Sequence, residues 1–225
     1  MNKAFTITAI LTTLFSTTVL ANKHIDLSNP HGLYNKFSVG YGSHDFDVNA
    51  QFSSQVNDDW SLLGTYHSDD NFANHDLRLN VINKSGVGYF VGYDYDANYD
   101  NRNIRANTVE AGLHVNVPLN KNVRLVPGMS LGSFEHQNMT NKAYYTQLSF
   151  GMIYNTASNL WFSFTPEYTF NLNDIKEDNG RRDNLRAWDV TADVGYNINR
   201  NQAVVYTYQY DAGDHLSRFT YKVGF

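Results

Sequence analysis

Cysteine is absent from the 225 residues, so no disulfide can staple the product and the lipid-modified cysteine of a lipoprotein is excluded. A basic excess is lacking too. Lys and Arg number 17 against 22 Asp and Glu, a net charge of −5, and this leaves no electrostatic footprint for nucleic acid. Long apolar runs are also missing: beyond the first residues no stretch approaches the roughly 20 apolar residues of a spanning helix. Mean hydropathy is −0.46, and an ordinary hydropathy scan would read a soluble chain. That test is blind to barrels, in which lipid-facing and lumen-facing residues alternate and average out.

Aromatic residues, by contrast, are plentiful at 15%, with 16 tyrosines, and Tyr and Trp suit a membrane interface through their apolar body and polar tip. The N-terminus carries Lys3, an apolar stretch from Ala4 to Phe15, and Val19, Leu20 and Ala21 before a signal-peptidase cut. Residues 1–21 are therefore expected to be a signal peptide. Residues 22–35, with Pro30 and Gly32, read as an irregular periplasmic lead. The rest, 36–225, divides into twelve alternating runs: 36–44, 46–56, 60–68, 75–83, 87–96, 106–117, 123–135, 143–154, 160–171, 185–197, 202–211 and 217–225. Most reach the roughly 9–11 residues of a tilted membrane strand. Short turns near 57–59, 83–86, 119–122, 155–159 and 197–201 alternate with longer polar connections at 69–74, 97–105, 136–142 and 171–184. Membrane barrels place short turns on the periplasmic side and long loops outside, so an even strand count leaves both termini periplasmic.

One parity of these runs is free of charge. It includes Leu77, Leu79 and Val81, then Tyr89, Val91 and Tyr93, then Leu148, Phe150 and Met152, and in the last run Phe219, Tyr221, Val223 and Phe225. A charge at the midplane of a barrel costs roughly 2–4 kcal/mol, and its absence across twelve runs is what that cost predicts. Trp60, Tyr154, Tyr196 and Phe225 gather at the periplasmic end of this face. Tyr66, Tyr95, Tyr144, Phe170, Trp188 and Tyr210 gather at the other, giving two girdles. A soluble sandwich or lipocalin-like barrel would need this whole face as its core.

An alternating final strand that ends on Phe225, behind a secretory signal, resembles the bacterial outer-membrane β-barrel proteins. The resemblance covers the whole chain as architecture. It implies an all-β, closed, antiparallel up-and-down barrel of about twelve strands in the outer membrane, in contact with lipid and lipopolysaccharide. It also implies that Phe219, Tyr221, Val223 and Phe225 are read by the barrel-assembly machinery.

The opposite parity carries the candidate functional residues. Arg78, Asp94, Glu110 and Arg124 lie on four successive runs, followed by Glu167, Asp189, Asp193, Arg218 and Lys222, with small residues such as Gly92, Gly112 and Gly195 between them. These predict a hydrated lumen that passes small polar solutes weakly selectively, with a slight cation preference. The alternative is a filled barrel whose loops bind a partner at the cell surface. Narrow twelve-stranded porins that take up acidic oligosaccharides are similar in size but have basic lumens, which this interior lacks. A hydrolase is the third reading: Asp69 with Asp70, His75 with Asp76, and Asp214 with His215 resemble omptin rim pairs, without the surrounding motifs. A phospholipase-type His and Ser are missing, because His114, Val115 and Asn116 supply no Ser. No catalytic residue, cofactor or metal site is therefore expected; the Asp94–Asp100 run departs from a calcium loop at Tyr99 and Arg105.

Overall fold

The structure, a computed structural model, describes residues 25–99, 104–156, 159–176, 178, 180, 182–183, 186–211 and 213–225. The expected signal peptide and its cleavage after Ala21 lie outside the described residues. Among the described residues, twelve long antiparallel strands close into one barrel. They are β1 (Lys36–Gly42), β2 (Asp45–Gln55), β3 (Trp60–Asp69), β4 (Asn74–Asn83), β5 (Val87–Tyr99), β6 (Ile104–Val115), β7 (Val123–His136), β8 (Ala143–Asn155), β9 (Leu160–Asn171), β10 (Ala187–Asn197), β11 (Gln202–Asp211) and β12 (Asp214–Gly224). Each runs against its sequence neighbours, and β1 closes on β12 with Phe37 opposite Val223 and Tyr41 opposite Phe219. Closure pairs every wall strand on both sides, so no row of backbone amides is left facing lipid.

The alternating runs locate every strand to within three residues at either end. The larger differences have local causes. β5 continues to Tyr99 through a register shift beyond Asp96, so its hairpin with β6 extends past the expected boundary. β12 begins at Asp214 because Gly213, at φ +115°, permits a tight turn that sets Asp211 opposite Asp214. That turn and the one between β1 and β2 are external yet as short as the periplasmic turns. Residues 171–184, read as an open polar loop and described only in part, include a small hairpin, Ile175–Lys176 against Arg182–Asp183. It is tied to the neighbouring external loop by hydrogen bonds from Thr140 N to the Lys176 carbonyl and from Lys176 N to Asn141 Oδ1, both 2.9 Å.

Period-two alternation decides which way each side chain faces. Leu79, Val91, Leu131, Phe150 and Phe164 are exposed on the outer wall, and a continuous apolar belt of this kind is stable only against lipid. Aromatic pairs sit across strands on the same face, with Tyr168 and Trp188 at 4.8 Å and Tyr206 and Phe219 at 4.9 Å between ring centroids.

Candidate functional site: the barrel lumen

Inward-facing glycines and rings are matched strand to strand. Gly195 lies opposite Trp161, Gly112 opposite Phe90, Gly132 opposite Tyr145 and Gly88 opposite His114. A β-carbon at any of the four would overlap the ring facing it. The absent side chains let the rings lie flat along the wall, and the space they vacate stays in the lumen. Sequence parity marks these glycines as inward and small; the rings they seat alternate just as regularly but are hard to separate from lipid-facing aromatics.

The result is a cavity of about 610 Å³ along the barrel axis. Six of the predicted inward residues, Arg78, Asp94, Glu110, Glu167, Asp193 and Lys222, line it, and Lys36 adds a third base. Arg78 and Glu110 form an ion pair across β5. They can meet because Gly92, in register with both, has no side chain to come between them. Arg78 also lies 4.5 Å from the Phe90 ring centroid, which fixes its guanidinium against the wall. Asp193 accepts hydrogen bonds from Ser163 Oγ and Thr207 Oγ1, each 2.6 Å. Glu167 accepts from Gln147 Nε2 at 3.4 Å, and Asp189 faces Glu167 in register.

Arg218 and Arg124 sit at opposite ends of the lumen. Arg218 pairs with the buried Asp47 at 3.3 Å. Both belong to an outer vestibule of about 260 Å³ whose charged side chains are five carboxylates (Asp45, Asp47, Asp69, Asp96 and Asp211) and this one arginine. Arg124, on the run after that of Glu110, binds Asp26 at 3.0 Å.

Asp26 belongs to the N-terminal lead, which folds into the periplasmic mouth. Ile25 and Leu27 are buried with Ala203, and both lie against Gly224. Gln51 Nε2 donates to the carbonyls of Gly32 and Tyr34, both at 2.9 Å. Tyr34 donates its hydroxyl to the Asp26 carbonyl at 2.9 Å, which ties the segment into a compact turn. His31 stacks on His114 of β6 with ring centroids 3.6 Å apart and planes at 9°. Leu27, Ser28, Pro30 and His31 thereby form part of the cavity lining. Pro30 and Gly32 mark the lead as irregular in the sequence, but no periodicity signals where it packs.

Comparison with protein-family models and with curated proteins found no match. Solved structures are similar at the level of fold. The COG4313 outer membrane channel from Pseudomonas putida F1 superposes with a TM-score of 0.56 at 10% identity over 85% of this chain and 93% of that one. The NanC porin gives 0.53 at 12% identity over 85% and 98%. The KdgM porin in complex with disordered oligogalacturonate gives 0.50 at 10%, with the same coverage. The chain has the fold of a small outer-membrane channel barrel.

In this barrel the histidines of the omptin-like rim pairs face away from the lumen. His75 Nδ1 hydrogen-bonds the Tyr66 hydroxyl at 2.9 Å, and His215 Nδ1 that of Tyr208 at 2.6 Å, both within the outer aromatic girdle. Each is held by tyrosine on the lipid-side face, while Asp69 points into the vestibule.

Proposed function

We propose that the protein is a narrow, weakly selective passive channel of the outer membrane for small polar solutes. The observation that carries this reading is the charged, polar cavity of about 610 Å³ enclosed by a complete barrel wall. The side chains lining it carry charges of both signs, as a hydrated path requires, and rings and glycines leave the space open rather than interdigitating across it. Its charged lining comprises four acids and three bases, and the vestibule is strongly acidic, so small cations are favoured over anions. The acidic balance counts against a polyanion like the oligogalacturonate of the KdgM porin complex.

The reading is of a non-enzymatic protein, supported by the outward histidines His75 and His215. It also takes lipid and lipopolysaccharide as the surroundings of the belt, and β12 with Phe219, Tyr221, Val223 and Phe225 as the segment offered to the barrel-assembly machinery. The nine charged positions singled out in the sequence act as lumen-lining groups, with Arg124 holding the lead and Arg218 the vestibule.

Liposome swelling tests the channel directly. Vesicles carrying the folded barrel should swell quickly in a pentose and little in a trisaccharide. Swelling in neither, with folded protein demonstrably inserted, would overturn the reading in favour of a filled barrel that works through its external loops.

A further inference from the structure

The charges lining the lumen are sorted along its axis. Lys36 is the first residue of β1 and Lys222 lies two residues before the end of β12, both at the periplasmic end. Asp94 and Glu167 lie in the outer halves of β5 and β9. Between the two sets, Arg78 and Glu110 neutralise each other. Below lie the two lysines against the single carboxylate of Asp193, in the periplasmic half of β10, and above lie Asp94 and Glu167.

The two lysines are the unusual feature. Ser38 is in register with Lys222 and Lys36 with Gly224, so the ammonium-bearing chains arise from adjacent strands, two residues apart, on one face. Among the described residues neither has a carboxylate within 4.0 Å, and Lys222 instead lies 5.5 Å from the Trp161 ring centroid. The carboxylate of Asp193, hydrogen-bonded by Ser163 and Thr207, keeps its charge but acts on Lys222 only from beyond that distance, one acid against two bases. Two like charges held together in a partly enclosed site are costly unless an anionic group joins them. Trp161 is 2% exposed, and its indole Nε1 has no hydrogen-bond partner among the described residues. The lower end thus offers two ammonium groups and an unpartnered indole N–H, whereas the upper end offers Asp94 and Glu167 as acceptors.

We propose that this cavity binds short zwitterionic peptides, with the C-terminal carboxylate at Lys36, Lys222 and Trp161 and the N-terminal ammonium toward Asp94 and Glu167. The length follows from β9, which carries Trp161 at one end and Glu167 six residues on. Six residues of strand are about 20 Å, or about 15 Å along the axis at a tilt of about 40°. An extended chain spans about 3.3–3.6 Å per residue, so about four residues bridge the two ends. A free amino acid is too short to reach both, and a single-signed solute satisfies only one. The proposal rests on the channel reading for its access route, but the binding site can be measured without conduction.

The test uses tetraglycine, whose only charges are its termini, on the full mature barrel. In planar bilayers tetraglycine should interrupt the ion current, and N-acetyl-tetraglycine and tetraglycinamide should each need at least tenfold higher concentration for the same effect. Lys222→Gln should remove the advantage of tetraglycine over its amide, with folding checked by heat-dependent gel mobility. Equal effects of the three peptides, or none on a conducting barrel, would overturn the proposal. Calorimetry on the detergent-folded barrel separates the two readings. Tetraglycine binding without conductance would uphold the site while removing the channel; conductance without binding would do the reverse.

Discussion

At the scale of single residues, the outward and inward faces of the wall make opposite demands, as Val91 on β5 and Gly195 on β10 show. Val91 is exposed on the outer wall near the middle of the strand. Val91→Arg should therefore cost about 2–4 kcal/mol of folding stability in lipid vesicles, measured by urea titration, because its guanidinium would enter the hydrocarbon. An unchanged midpoint would mean that this face does not meet lipid. A residue inside the barrel behaves differently. At Gly195 even a methyl group would overlap the Trp161 ring, so Gly195→Ala should push the indole off the wall, lower the conductance and blue- or red-shift its fluorescence. Alternation made the first position legible from sequence alone. The second was legible only as a small inward residue, because register decides which ring meets which glycine, and register depends on turns whose lengths the sequence only brackets.

At the scale of elements, the strands were readable and the N-terminal lead was not. Strand identity is a local period, whereas the seat of the lead is assembled from Gln51, His114, Arg124 and Gly224, which lie on four different strands. The same non-local assembly pairs Arg124 with Asp26 of the lead. Removing residues 25–34 from the mature protein should open the periplasmic mouth and raise single-channel conductance at least twofold. No rise would show that the lead does not limit the pore. Acid should loosen the same seat. Burial lowers the pKa of His31 to about 3, and the positive charges of His114, Arg78, Arg124 and Lys36 act in the same direction. A released His31 would titrate near 6.5, so seating is fully favoured above that pH and weakens as pH falls toward about 3. Conductance should rise between pH 7 and pH 4. His31→Phe, which keeps an aromatic ring on His114 but cannot be protonated, should flatten that rise, and an identical profile in both proteins would exclude the histidine as its source.

At the scale of the whole molecule, a cysteine-free barrel is held by a continuous hydrogen-bonded ladder, with β12 joined to β1 over seven register pairs, Lys36 to Gly42. Such a cylinder has no edge from which to unravel. Unheated protein should therefore migrate differently from boiled protein on a gel, and identical mobility would contradict closure. The axial order of charge belongs to this scale as well: an acidic vestibule above, a balanced middle, and lysines and Arg124 below. The measurement that tests the central claim most directly is the reversal potential of the folded barrel in a planar bilayer under a salt gradient. An open, acid-rimmed lumen predicts small stepwise currents with a modest preference for cations, reduced when Glu167 is replaced by Gln. Folded, inserted barrels that pass no current would contradict it.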